Sequence, residues 1–258
     1  MNEGSLAGAG VLQTRPEHQS AELDAEIRAA GGRVLSFPVM DIVPRAAADV
    51  AAQCGEAAPD IVVFVSPNAV RFGLDSAPPG AVLAAIGSAT AEALARAGRE
   101  PAIVPAAGYD SEALLAEAAL ADVDGRRVRI VRGDGGRELL GETLAARGAT
   151  VEFVEVYARR KHAASAGELA TVDAAFAGRQ VDFVIAMSVA SLGFLLELLP
   201  PRSRRALPGA RLVTPSSRVI QTAQVEIPGM TARQAAGPRP EDLVATMLAW
   251  ADNGRPNG

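Results

Sequence analysis

The stretch "DIVVFVSPNAVRFGL" (residues 60–74) decides the fold, because its hydrophobic pattern changes halfway. Ile61 to Val65 form an unbroken apolar run, the mark of a strand covered on both faces. Ser66-Pro67-Asn68 then supplies a helix start, with a hydroxyl suited to capping and a proline suited to the first turn. "DFVIAMSVASLGFL" (182–195) repeats the same strand, serine corner and helix 122 residues later, taking Asp60 to Asp182 and Ser66 to Ser188. One copy would be ordinary α/β punctuation. Two copies suggest a duplicated architecture with paired sites.

The opening segment "VLQTRPEHQSAELDAEIRAAGGRVLSFPV" (11–39) reads as a β-α-β unit. A strand at 11–14 meets a turn at Arg15-Pro16. Leu23, Ile27 and Ala30 keep helical spacing, Gly31-Gly32 ends the helix, and a strand follows at about 33–37. This unit returns as "VRIVRGDGGRELLGETLAARGATVEFVEVYARR" (128–160) at a constant shift of 117: Val11 to Val128, Arg15 to Arg132, Leu23 to Leu140, Gly31 to Gly148 and Val34 to Val151. "AIGSATAEAL" (85–94) comes back, much degraded, as "RLVTPSSRVIQTA" (211–223). Between the copies, strands are expected at 84–86 and 102–104, a helix at 89–97, and another starting at Asp110 or Ser111. Farther on, 167–177 reads as a helix, 199–209 as a helix end and loop, and 241–251 as the last helix. The near-constant shifts predict an α/β protein of two similar doubly wound parallel-sheet domains, an internal duplication.

Apolar residues make up 49% and charged residues 21%, an ordinary globular balance, while aromatics at 4% leave the core to Val, Leu, Ile and Ala. A net charge of −5 speaks against a general nucleic-acid binder but leaves room for an anionic small ligand held by local dipoles. "MNEGSLAGAG" reads as a disordered leader rather than a signal peptide, and "NGRPNG" as a frayed tail. No apolar run reaches the roughly 20 residues that span a bilayer. Cys54 is alone, and His18 and His162 sit in polar contexts that look exposed. These features predict a cytoplasmic protein with no metal site, no membrane and no nucleic-acid partner; the expected assembly is a monomer.

The missing motifs narrow the chemistry. "RGDGGRE" (132–138) is not the dinucleotide fingerprint and lacks the lysine of a P-loop. Neither a G-x-S-x-G turn nor a suitably placed histidine supports a Ser-His-Asp hydrolase. Six strand-to-helix corners rich in hydroxyls remain. They hold Thr14-Arg15-Pro16, Ser66-Pro67-Asn68, Ser88 and Thr90, Arg132-Gly133, Ser188 and Ser191, and Thr214 to Ser217. In open parallel sheets such corners lie at the carboxyl ends of strands, where ligands bind, and each helix start offers unpaired N–H groups. Taken singly, each serine reads first as a plain N-cap, and Arg15 and Arg132 are equally well solvated charges. The recurrence in both halves favours a site.

Several pieces, in this order, resemble the uroporphyrinogen-III synthase family: "TRP" after the first strand, "FP" closing the first unit, "FVSPNAV", "AIGSATAEAL", "YDSEALL", "GRELLGETLAARGATV" and "EVYARR". The resemblance covers roughly residues 11–160 by letters and 180–250 by layout. It implies two domains joined by a two-stranded hinge: 1–36 with 162–258, 44–154, and hinge strands at 37–43 and 155–161. It also implies closure of linear hydroxymethylbilane into uroporphyrinogen III, with loss of water, inversion of ring D and no cofactor. The implied substrate, a linear tetrapyrrole with eight carboxylates, suits a row of helix starts. By the same resemblance, Ser66 and Asn68 face a cleft from one domain, Ser188 and Ser191 from the other, and Tyr157 in "EVYARR" stands beside it as proton donor. Arg15, Ser88, Thr90, Arg132 and Ser217 complete the expected binding set, with Ser217 standing where the family carries a threonine. "AMSVAS" (186–191) and "VTPSSRV" (213–219) depart from the family's usual corners. They keep open a second reading, a non-catalytic module that binds a tetrapyrrole or another polyanion. A two-lobed solute-binding protein is disfavoured by the opening residues.

Overall fold

The structure is a computed structural model and describes residues 5–136 and 138–252. In chain order it begins with β1 (Gly10–Gln13), α1 (Ala21–Ala29), β2 (Arg33–Ser36), β3 (Met40–Pro44) and α2 (Ala47–Ala51). There follow β4 (Ile61–Phe64), α3 (Pro67–Gly73), β5 (Val82–Ala85), α4 (Ser88–Arg96) and α5 (Ser111–Leu115). Next come β6 (Arg127–Gly133), α6 (Leu139–Ala146), β7 (Thr150–Lys161), α7 (Ala166–Ala177), β8 (Phe183–Ile185) and α8 (Val189–Leu198). The chain closes with α9 (Pro201–Ala206), β9 (Arg211–Thr214), α10 (Ser217–Glu226), β10 (Thr231–Gln234) and α11 (Pro240–Asp252).

The chain forms two compact units, one from Met1–Asp41 with Arg160–Gly258, the other from Ile42–Arg159. Each carries a five-stranded sheet, β10-β9-β8-β1-β2 in the first and β3-β7-β6-β4-β5 in the second. The two sheets share a strand order once the repeats are matched: β2-β1-β8-β9 corresponds to β7-β6-β4-β5. Even the register is kept. Val11 pairs with Val34 and Phe183 in one sheet; adding 117 to the first two and subtracting 122 from the third gives Val128, Val151 and Ile61, which pair in the other. Gly31 and Gly148, also 117 apart, end α1 and α6 with φ of 80° and 88°, a conformation natural to glycine.

The apolar run at 61–64 is buried throughout, as a parallel strand clad on both faces must be. Ile61 and Val63 pack with Ile130, Leu114, Leu140 and Leu144 on the α5/α6 side. Val62 and Phe64 pack with Val70, Leu94 and Val131 on the α3/α4 side. In the other unit, Val11, Phe183, Ile185 and Val213 pack against Leu23, Ile27, Leu243 and Met247.

Three expectations need correction. The strand at 102–104 shrinks to a single bridge between Ala84 and Ile103, beside β5 where the other sheet has β10 beside β9. Pro101 and Pro105 flank it and have no N–H to extend a ladder. The loop at 199–209 contains α9, because Pro201 at its first position is already shaped for a helix start. The leader is folded over the described residues: Leu6 is buried against Leu23 and Ile27, and its N–H donates to the carbonyl of Ala30 at 2.8 Å. Residues 1–4 and the tail 253–258 lie outside the described residues. Among the described residues no helix is long and apolar enough to cross a membrane.

Candidate active site

In the Ile42–Arg159 unit the chemistry gathers at the carboxyl ends of β4, β6 and β7. Ser66 caps α3 from extended backbone, its Oγ accepting the N–H of Ala69 at 3.0 Å. The same Oγ lies 3.1 Å from the Tyr157 hydroxyl. Arg159 Nη2 donates to that hydroxyl at 3.1 Å, and its guanidinium carbon stands 5.2 Å from the ring centre. Asp134 holds Arg159 in turn, accepting its N–H on Oδ1 at 2.8 Å and its Nη1 on the backbone oxygen at 2.9 Å. A charged donor on the phenol oxygen polarises the O–H bond and makes the phenol a stronger donor.

A β-bulge creates this arrangement. Arg132 pairs with Glu155, yet the next residue, Gly133, pairs with Tyr157, leaving Val156 as the extra residue. Without the bulge, alternation along β7 would send Tyr157 to the face of Val151 and Phe153. With it, Val156 and Tyr157 both join the α3/α4 face, where Ser66 and Phe72 lie. The phenol then crosses Gly133 so closely that a Cβ there would fall 2.4 Å from the ring. Tyr157 is 1% exposed, a core residue with a polar tip.

The other predicted residues divide. Asn68 and Ser88 stand at the starts of α3 and α4, Ser88 exposed and Asn68 half-buried, while Thr90 turns inward at 2% exposure. Of the two hydroxyl residues at that corner, Ser88 is the exposed one. Arg132 is on the opposite face of the sheet from Tyr157. Its guanidinium stacks 4.0 Å over Phe153 and pairs with Glu138 at 3.0 Å and Glu155 at 3.6 Å, so its charge is already met by protein carboxylates.

In the other unit, Ser188 and Ser191 form a reciprocal capping box on α8, with each hydroxyl accepting the other's N–H at 3.1 and 2.9 Å. Ser188 is exposed and Ser191 buried, so only the first presents itself to a ligand. Ser217 is exposed at the first position of α10; Ser216 is the cap residue and makes no side-chain cap bond. Thr14 is buried and donates to the Ile185 carbonyl. Arg15 Nη2 donates to the carbonyl of Pro238 at 2.6 Å, and burial lowers the guanidinium's pKa against the opposing charge of Glu22.

Sequence reading missed Arg159, Asp134 and His162, and it named Gly133 only as part of the Arg132-Gly133 corner. Arg159 was within reach, since residues two apart on a strand share a face and Tyr157 had been singled out. His162, expected to be exposed, is half-buried between two carboxylates, Asp41 at 2.9 Å from Nδ1 and Glu168 at 3.2 Å from Nε2. Burial disfavours its imidazolium, but the hydrogen bonds and charges of Asp41 and Glu168 together outweigh this and raise the pKa. Among the described residues no cluster of His, Cys, Asp or Glu has the makings of a metal site.

Comparison with known proteins shows the family and the fold. The family model described as Uroporphyrinogen-III synthase HemD matches residues 21–245. The uroporphyrinogen-III synthase of Escherichia coli K12 is 34% identical over 227 residues, covering 83% of this chain and 90% of that protein. That of Salmonella typhimurium is 38% identical over 160 residues, covering 58% of this chain and 64% of that one. Among solved structures, a uroporphyrinogen III synthase of Thermus thermophilus superposes with a TM-score of 0.59 at 19% identity, covering 95% of this chain and 98% of that one. The Helicobacter pylori synthetase superposes with a TM-score of 0.62 at 12% identity, covering 94% and 99%. At such identities these two structures speak for the fold, while the family model and the E. coli relative speak for descent: the chain belongs to the uroporphyrinogen-III synthase family, enzymes of tetrapyrrole biosynthesis.

Proposed function

We propose that this chain closes hydroxymethylbilane into uroporphyrinogen III, with Tyr157 as the source of the proton that lets the hydroxyl leave. The observation that carries this reading is the Tyr157 hydroxyl, held 3.1 Å from both Ser66 and Arg159. A hydroxymethyl group on an electron-rich pyrrole ionises readily once its oxygen is protonated, so the enzyme needs one well-placed weak acid and no strong one. A phenol carries one O–H that it can donate to a partner. Spontaneous closure gives the unrearranged type I isomer. The protein's larger task is therefore to hold the chain so that the substituted carbon of ring D attacks first, which is positioning and electrostatics.

The substrate's carboxylates would be met by N–H groups and hydroxyls at the starts of α4, α8 and α10, where Ser88, Ser188 and Ser217 are exposed. Asn68 and Arg15 belong to the same proposed set, whereas Arg132, already held by Glu138 and Glu155, acts through the order it brings to its corner. The test is direct. Purified protein given hydroxymethylbilane, with no added metal or nucleotide, is expected to yield mainly the type III isomer on separation of the products. Type I product alone, at the spontaneous rate, would overturn the reading and leave a non-catalytic binding module.

A further inference from the structure

We propose that the proton reaches the departing hydroxyl through Ser66 Oγ, with the Tyr157 phenol behind it and the Arg159 guanidinium behind the phenol. This rests on the reaction proposed above and deepens it. The starting point is a mismatch between the phenol's role and its place. Tyr157 is 1% exposed, its ring closed in by Gly133 and by Phe72, whose ring centre lies 6.1 Å away. A substrate hydroxyl does not reach that oxygen directly. Ser66, by contrast, is only half-buried and touches the phenol at 3.1 Å.

Counting donors and acceptors sets the direction of the chain. A guanidinium only donates, so Arg159 fills one lone pair of the phenol oxygen. The N–H of Ala69 only donates, so it fills one lone pair of Ser66 Oγ. If the phenol donates to the serine, both lone pairs of Oγ are taken and the serine hydrogen points outward, toward a ligand. If the serine donated to the phenol instead, the phenol hydrogen would need a further acceptor within a packed core. Among the described residues its hydroxyl contacts are Ser66 and Arg159. The first arrangement satisfies every group, and buried polar groups that go unsatisfied are costly.

The step then balances. Ser66 Oγ–H gives its proton to the hydroxyl oxygen of the substrate, the carbon–oxygen bond breaks, and water departs. Ser66 takes the phenol proton in the same motion, leaving a phenolate beside the Arg159 guanidinium. Ring closure later releases one proton from a pyrrole carbon, and this returns through Ser66 to Tyr157. Substrate loses one water, and the protein ends as it began.

The experiment compares kcat and KM for Ser66→Ala, Tyr157→Phe and the double variant, with melting curves confirming that each folds. Each single change is expected to lower kcat by about 100-fold, the low end for general acid help, with KM little altered. The double variant should be no slower than the slower single, because both changes cut one chain. Ser66→Asn supplies a capping side chain but passes no proton, so it should stay as slow as alanine; Ser66→Thr should recover most of kcat. In mixtures of light and heavy water, the rate of the native enzyme should fall along a curve that reports two protons in flight, and that of Tyr157→Phe along a straight line. Multiplying losses in the double variant, a straight line for the native enzyme, or native-like kcat in Ser66→Ala would each overturn the relay. Since type III product from the native protein is measured in the same series, its absence identifies failure of the reaction itself.

Discussion

At the scale of single residues, the centre of the site depends on an atom that is missing. Gly133 has no Cβ, and one built there would lie 2.4 Å from Tyr157 Cε2, 2.5 Å from Cζ and 2.9 Å from the hydroxyl. The ring has nowhere to retreat, being packed among Val131, Val156 and Phe72. Gly133→Ala is therefore expected to push the phenol off Ser66 and Arg159. We expect a kcat loss comparable to that of Tyr157→Phe, together with about 1–3 kcal/mol of overpacking cost seen as a lower denaturation midpoint. Unchanged turnover in Gly133→Ala would mean that the phenol's position is not what the reaction needs. The glycine was visible in the sequence, in "RGDGG", as part of a failed nucleotide motif and of the Arg132-Gly133 corner; its reason is a neighbour 24 residues away on another strand.

At the scale of elements, caps and strand ends join into larger assemblies. The start of α7 carries a capping box in which Ser165 accepts the N–H of Glu168 and Glu168 accepts the N–H of Ser165. Glu168 also holds His162, which reaches Asp41 on β3, so the imidazole ties the end of β7 to both β3 and α7. Lys161 beside it is engaged elsewhere, with Glu197 at 2.6 Å. The raised pKa of His162 means that its protonated form is the one the fold favours. That stabilisation is complete below the ordinary imidazole value of 6.5 and is lost as pH rises through the higher folded value. Glu168 runs the other way: hydrogen bonds from Ser165, then His162, lower its pKa, so its contribution is complete above 4.5 and is lost as pH falls through the folded value. The difference in melting temperature between native protein and His162→Gln should thus be largest between these limits and shrink on the alkaline side. A difference that grows above neutral pH would contradict the assignment.

At the scale of the whole molecule, the two units are built alike but threaded differently. Residues 42–159 are continuous and hold both faces of their own core, from Leu114, Leu140 and Leu144 on one side to Val70 and Leu94 on the other. The other unit needs two separate segments, because β1 from the start of the chain lies between β2 and β8. A fragment of residues 42–159 is therefore expected to fold alone, with helical circular dichroism and a cooperative thermal transition. A fragment of 160–258 lacks β1 and β2 and should not. A non-cooperative 42–159 fragment would show that its core depends on the rest of the chain.

What the sequence determined by itself was the repeating part. Strand and helix periods, serine caps, glycine ends and the shifts of 117 and 122 all arise from interactions between residues near one another in the chain. Such interactions leave their pattern in the letters. They were enough to read two parallel α/β halves and to mark Ser66; Tyr157 was marked only by the resemblance of "EVYARR" to the family. The tertiary structure decided how those residues meet. Whether Tyr157 faces Phe153 or Ser66 depends on one bulge opposite Arg132 and Gly133, and a shift of one residue on a strand reverses every side chain beyond it. Whether Thr90 and Ser191 turn inward, and whether Arg132 is already met by Glu138 and Glu155, depends on partners brought close only when the sheets and helices pack. Side-chain direction at a strand end is a property of pairing, and pairing is settled between residues far apart in the chain.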